Sequence, residues 1–428
     1  MIKKYKNTFI LIIFFLISFI IMFFSKVDSD VMWNFGYTYN TVKGLLMYKD
    51  FNMVISPLYP TITGLLMKIL GNNLLSFYII NATYATLVAY LASKIAPKSW
   101  LLSLPLILFS CLANYNTLCI LLCLLVIYLE KKNLNDYLIG IILGLCFLTK
   151  INIGILLWIP SLFYFKDFKK IAKRIAGFII PNILVIIIFL FMNNLYNYID
   201  YVFLGILDFA DNNLQLSFLV IIIPIIFIFL TISFFKEKDI SYLYSIVFLG
   251  LIYPVMNELH VIMAIVPGII LLMKKYDYKL EKLAFLGLIF MLFSLISLYF
   301  VNQKYEFSYD KNIFKNRYIQ SEYIKNANDL KRYFNNDFKS VYFMTYNNYI
   351  YKFLLDLPIN KYDVLLYGNM GYNGTKKLIN YLKSAKEDTY FIFDSIITGA
   401  QYNIEGLKYV QKNYDLKAIV GNFYIYQK

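Results

Sequence analysis

The chain has 428 residues, 60% of them apolar and only 16% charged, with a mean hydropathy of +0.60 and a net charge of +15. That is too apolar for a soluble protein of this size and marks a polytopic membrane protein. The basic residues are spread over loops and form no patch, which excludes a nucleic-acid interface and fits lysines held beside cytoplasmic lipid head groups.

The first element is the apolar run Phe9 to Phe24, behind Lys3, Lys4 and Lys6; with no small-x-small cleavage site after it, it reads as a retained membrane helix. Residues 27–70 form a first loop. Its apolar run 57–70 falls short of the ~20 residues that a crossing needs and is predicted to lie at the interface as an amphipathic helix. Further crossings are predicted near 73–93, 100–113, 115–129, 136–149, 151–165, 175–193, 215–235, 240–256, 261–273 and 281–301, about eleven with the first. Charge placement agrees. With the N-terminus cytoplasmic, the loops holding Lys94 and Lys98, Lys131 and Lys132, Lys166 to Arg174, Lys236 and Lys238, and Lys274 to Lys282 all fall inside. The opposite loops around 114, 194–214 and 257 carry no Lys or Arg, and a crossing at 57–70 would invert every one of them.

From about Asn302 charged residues become frequent. Short apolar runs at 341–344, 364–367, 390–393, 418–420 and 423–426 read as strands, alternating with helices at 318–334, 375–384 and 403–413. The expected fold class is an α-helical polytopic membrane protein: residues 1–301 form the transmembrane part, and 302–428 a small extracytoplasmic α/β domain on the side of the first loop. All four cysteines, Cys111, Cys119, Cys123 and Cys146, lie in apolar segments and read as small core residues. His260 is the single histidine, which excludes His-rich zinc sites. A metal would have to rest on carboxylates, a donor set suited to Mg²⁺ or Mn²⁺.

Three such carboxylates follow the first helix: Asp28 and Asp30, then Asp50 after Gly44 and Tyr48. An acid at the exit of the first helix, a Gly fourteen positions on and Tyr-x-Asp-Phe around Asp50 resemble the first external loop of GT-C integral-membrane glycosyltransferases, closest to the dolichyl-phosphate-mannose and lipid-A-sugar transferase-like families. The resemblance implies that Asp30 takes the place of the first acid and Asp50 that of the second. Where those families often have Glu after the first acid this chain has Val31, with Asp28 an extra acid upstream, so the choice between Asp28 and Asp30 stays open. Thr149-Lys150-Ile151-Asn152-Ile153-Gly154 resembles the families' Thr-Lys-x-Asn-x-Gly, and Asn114-Tyr115-Asn116 the preceding turn. Glu258-Leu259-His260 matches a place near the donor phosphate, although Val261 stands where an aromatic residue is usual.

The resemblance implies a glycosyltransferase that takes a sugar from a polyprenyl-phosphate carrier and passes it to an extracytoplasmic glycan, lipid or protein. Such a transfer needs a base for the acceptor hydroxyl and groups that meet the leaving phosphate. A single displacement inverts the anomeric centre and needs one base. Asp30 is the expected base, with Asp50 orienting the acceptor or joining Asp28 and Asp30 around a divalent cation. Lys150, His260 and Glu258 are the expected phosphate contacts, and Tyr48, Asn114, Tyr115 and Asn116 the expected substrate contacts. The run Gly368 to Gly374 reads as a turn, with acceptor recognition as its functional alternative. The competing classes are a flippase of lipid-linked sugars, which paired repeats or a charge in mid-membrane would favour, and a non-catalytic envelope assembly protein.

Overall fold

A computed structural model describes residues 2–164, 167–212, 215–302, 305–308, 314, 317–394 and 402–428; Lys166, singled out above, lies outside them. Helix α1 (Ile2–Phe24) leads into a first loop with α2 (Ser29–Val42) and α3 (Leu58–Leu70). There follow α4 (Leu74–Ile95), α5 (Leu104–Ser110), α6 (Tyr115–Lys131), α7 (Asp136–Phe147), α8 (Ile151–Leu156) and α9 (Phe168–Phe191). The chain continues through α10 (Leu195–Ile199), α11 (Gly205–Asn212), α12 (Ile222–Glu237), α13 (Ser241–Phe248), α14 (Glu258–Lys275), α15 (Asp277–Leu280) and α16 (Ala284–Asn302). Two short strands, β1 (Gln215–Leu216) and β2 (Val255–Met256), pair in parallel.

Among the described residues five helical stretches are long and apolar enough to cross a bilayer: Asn7–Phe24, Leu74–Ile95, Phe168–Phe191, Phe218–Glu237 and Glu281–Asn302. Trp100–Ser110, Asp136–Phe147, Ile151–Phe163 and Ser241–Ile252 are apolar but shorter. A helix or a broken pair of helices occupies each interval expected to cross. The breaks have local causes: Pro105 starts α5 after a 3₁₀ turn, and Pro160 sits in the 3₁₀ turn Ile159–Tyr164 after α8. Helix α3 is amphipathic, as its sequence predicts. Tyr59, Thr63 and Met67 face inward at four-residue spacing while Leu65, Leu66, Ile69 and Leu70 face out. Helices α7 and α9 pack closely because Gly140, Gly144 and Gly177 lie at their contact, where a Cβ on Gly140 would strike the Arg174 carbonyl and one on Gly177 the Tyr137 carbonyl.

Beyond α16 the chain forms an α/β segment. Strands β3 (Glu306–Ser308) and β4 (Arg317–Ile319) pair antiparallel, followed by α17 (Ser321–Tyr333), β5 (Val341–Phe343), α18 (Asn348–Leu355), α19 (Gly374–Lys383), β6 (Tyr390–Asp394), α20 (Ile404–Asn413), β7 (Asp415–Val420) and β8 (Phe423–Gln427). The sheet has the order β5-β6-β8-β7, with β5 parallel to β6 and the other pairs antiparallel. Two expectations are corrected. Helix α18 occupies residues that carried no predicted element. Residues 364–367, expected as a strand, are instead a buried loop: Val364 exchanges two hydrogen bonds with the Asn52 amide, which donates to its carbonyl at 2.6 Å and accepts from its N–H at 3.1 Å. The apolar run is buried against the first loop and not inside a sheet.

Besides the Asn52 bonds, α18 and the Gly368 to Gly374 turn seat this segment on the rest of the chain. Helix α2 lies against α18: Gly36 leaves room for the Tyr349 ring, Asn40 donates to the Tyr349 hydroxyl at 3.1 Å, and Phe35 meets Phe353 at 5.2 Å. The Gly368 to Gly374 turn forms the second seat, over α10 and α11. Gly368 and Gly371 have φ of +85° and +73°, and a Cβ on either would strike Phe209 or the Asp200 carboxylate. Asp200 accepts from the Tyr372 N–H at 3.2 Å and pairs with Lys377. The glycines therefore serve close docking of the turn.

Candidate active site

Helix α2 starts where the chain leaves α1, and Asp28 is its N-cap, its carboxylate accepting from the Val31 N–H at 3.0 Å. Asp28 is thereby spent on the helix end. Asp30, in the first turn, turns its carboxylate into a cleft of about 220 Å³ between the first loop, α6, α14 and the α/β segment. Asn114, N-cap of α6, donates to Asp30 at 3.3 Å and accepts from the Asn116 N–H at 3.0 Å. The Asn116 side chain in turn accepts from the Lys150 ammonium at 3.3 Å, and that ammonium lies 5.6 Å from the Tyr115 ring centre. Lys150 sits between α7 and α8 and lines a smaller adjoining cavity of about 70 Å³ that shares Tyr115, Phe209 and His260 with the first. One hydrogen-bonded chain thus runs from the acid to the cation.

Asp30 remains accessible from the cleft, but protein surrounds the carboxyl and keeps bulk water away. That burial first, and the Asp28 carboxylate second, push Asp30 up to about 6, against the opposing influence of Asn114 and Lys150. Burial raises Asp28 as well, opposed by its bonds to the start of α2. Withdrawal from water brings Lys150 down to about 8, with Cys119 and Asp30 opposing the fall. An acid near 6 and an amine near 8 leave both groups mostly charged at neutral pH, with the acid basic enough to take a proton.

His260 also lines the cleft. The Asn257 amide oxygen accepts from the His260 backbone N–H at 3.0 Å and lies 2.8 Å from its Nδ1. An amide oxygen only accepts, so Nδ1 carries a proton; the neutral ring then presents a lone pair at Nε2, which accepts from a hydroxyl, and donates to a phosphate oxygen only as imidazolium.

The remaining expected residues are elsewhere. Glu258 is exposed at the start of α14 and accepts from Ser217 at 2.8 Å, away from the cleft. Tyr48 is wholly buried with φ +67°, its hydroxyl donating to the Ile55 carbonyl at 2.9 Å and its ring packed among Phe189, Tyr198 and Tyr201. Asp50 accepts from the Leu46 N–H at 2.7 Å and closes its own turn. The Tyr-x-Asp pair is a loop-holding device here because Tyr48 must adopt a left-handed backbone that the Asp50 bond secures. Asp28, Asp30 and Asp50 therefore do not converge, and among the described residues no three His, Cys, Asp or Glu side chains group as metal ligands. The three acids do not fit the shared cation site expected of them.

Sequence reasoning missed part of the ceiling of the cleft. Tyr346 and Asn369 come from the α/β segment. Tyr346 meets Trp33 edge to face at 4.9 Å, and Asn369 donates to the Tyr37 hydroxyl at 3.3 Å while accepting from the Val54 N–H at 3.1 Å. No local signal marks Tyr346, and Asn369 showed only as part of the Gly368 to Gly374 turn, for which acceptor recognition was the functional alternative; both lie some three hundred residues from α2.

The fold is that of ArnT from Cupriavidus metallidurans, whose crystal structure is bound to undecaprenyl phosphate: the TM-score is 0.59 over 98% of this chain and 97% of that one, at 8% identity. That likeness shows a shared overall fold along nearly the whole of both chains. Two structures of the Archaeoglobus fulgidus oligosaccharyltransferase, one with Zn and sulfate and one with an inhibitory peptide and a dolichol-phosphate, align over 90% and 99% of this chain and 68% and 74% of theirs. Their TM-scores are 0.46 and 0.49 at 9% and 10% identity. No family model and no curated protein matches the chain.

Proposed function

We propose that the protein is an inverting glycosyltransferase that takes a sugar from a polyprenyl-phosphate carrier and attaches it to an extracytoplasmic glycan, lipid or protein. The observation that carries the reading is the hydrogen-bonded chain from Asp30 in the cleft through Asn114 and Asn116 to Lys150 in the adjoining cavity. Asp30 takes the proton of the acceptor hydroxyl as its oxygen attacks the anomeric carbon. The bond from that carbon to the carrier phosphate breaks, its electron pair leaves with the phosphate oxygen, and Lys150 meets the charge. That ArnT is bound to undecaprenyl phosphate supports the same class of carrier for this chain. In this reading the chain crosses about eleven times with its N-terminus cytoplasmic and 302–428 forming an extracytoplasmic domain. Purified protein in lipid, given polyprenyl-phosphate sugars, should release polyprenyl phosphate with an acceptor extract; turnover that survives Asp30→Asn undiminished would remove the base and the proposal with it.

A further inference from the structure

The side of the cleft beyond Asp30 carries its own specificity. Asn34 stands one helical turn after Asp30 on the same face of α2 and lines the cleft, yet it is only 2% exposed. Its amide nitrogen is engaged, donating to the Asp30 carbonyl at 2.9 Å. Its Oδ1 has no hydrogen-bond partner. A buried acceptor left unpaired costs about 1–3 kcal/mol, and a ligand O–H relieves that cost. Beside it stand the Trp33 and Tyr346 rings, 4.9 Å apart at 68°, apolar faces against which the C–H side of a sugar ring packs. The other polar lining is mostly uncharged: the amides of Asn114, Asn116, Asn257 and Asn369, with Tyr37 and Tyr115. Among the described lining residues of this cleft Asp30 is the one carboxylate, and the basic side chains are His260 here and Lys150 next door.

We infer that Asn34, Trp33 and Tyr346 form the subsite for the transferred ring and that this ring is a neutral, hydroxylated sugar. The inference rests on the transferase reading above. Charge decides the class. A uronate keeps ring hydroxyls for Asn34, but it would bring a second carboxylate into a cleft where Asp30 is already ionised, and like charges repel. An amino sugar could donate to Asn34, but its ammonium would pair with Asp30 and quench the base. A neutral hydroxyl satisfies Asn34 and leaves Asp30 free. The external segment then has a direct part in sugar choice through Tyr346.

Ligand-observed saturation-transfer NMR on the full chain in lipid nanodiscs tests this without requiring turnover. The probes are the methyl glycosides of glucose, galactose and mannose against methyl glucuronide and methyl glucosaminide. At least one neutral glycoside should bind more tightly than both charged ones. Asn34→Leu should weaken it on the order of ten-fold, whereas Asn34→Asp, which keeps an acceptor, should stay nearer wild type and gain the amino sugar. Tyr346→Leu should weaken the neutral glycoside too and covers the case in which the Asn34 variants do not fold. Equal or tighter binding of a charged glycoside, no binding of any neutral one, or unchanged affinity in both Asn34→Leu and Tyr346→Leu overturns the inference. Asp30→Asn separates the two claims: it should keep glycoside binding while losing transfer. Neutral binding sensitive to Asn34 without any transfer by the wild type would sink the transferase alone; transfer with binding blind to Asn34 and Tyr346 would sink the subsite alone.

Discussion

Two polar clusters in this protein use the same residue types to opposite ends. Around Arg174 in α9, the guanidinium meets Glu130 at 2.6 Å, Asp136 at 2.9 Å, and Ser161 and the Tyr244 hydroxyl at 3.1 Å, and Tyr244 itself donates to Glu130 at 2.8 Å. Short, convergent bonds there tie α6, α7, α9 and α13 to one another. Around Asp30 and Lys150 the corresponding contacts are 3.3 Å each, the acid faces a cleft, and the neighbouring Asn34 has an unmet acceptor. A cluster of short, convergent bonds between helices holds them together, and one whose bonds are longer and face a cleft is arranged for something that arrives.

Substitutions can break this contrast, beginning with the largest effect. Asp30→Asn should lower kcat/KM by roughly 10²–10⁴ while leaving the thermal unfolding midpoint unchanged or higher, since a carboxylate raised by burial is a stability cost that the amide removes. Arg174→Leu should behave oppositely. It leaves Glu130 buried without its cation, a loss of about 3–5 kcal/mol visible as a lower unfolding midpoint, with KM of whatever folds little changed. Lys150→Met should reduce kcat/KM by roughly 10²–10³, with partial recovery in Lys150→Arg.

The pH profile of kcat/KM sharpens the same point. Asp30 must be ionised, so activity rises through about 6, and Lys150 must be protonated, so it falls through about 8. Lys150→Arg should move the upper limb to higher pH and leave the lower one in place. The smallest effect is expected at Asp50, whose carboxylate holds the turn at Leu46. Asp50→Asn should change turnover less than about ten-fold, the scale of one hydrogen bond; a loss as deep as that of Asp30→Asn would restore to Asp50 the role that the loop resemblance implied.

The contrast also explains what was legible beforehand. Asp30, Asn114, Tyr115, Asn116, Lys150 and His260 sit at helix starts or turns, where polar residues interrupt apolar runs and stand out in the sequence. The cleft indeed gathers most of them from α2, α6, the α7 to α8 turn and α14. Helices α17, α19 and α20 likewise showed their periodicity, and strands β5, β6 and β8 their short apolar runs. Val364 to Tyr367 misled because an apolar run reports burial and not the partner; here the partner is Asn52, far upstream. Tyr48 and Asp50 carried the right spacing, yet only the backbone reveals that the pair is turned inward. Tyr346 was invisible, and Asn369 showed only as part of a glycine-rich turn, because their placement depends on how two distant parts of the chain dock.

That docking sets an order of events during synthesis. Apart from Leu366, the rest of the cleft is made of residues up to Met263, which leave the ribosome before Tyr346 and Asn369. A nascent protein halted short of them would hold its acid and its amine under an open roof, with water free to take the acceptor's place. Competence to transfer, and protection of an activated sugar from idle hydrolysis, would then arrive together when the tail closes.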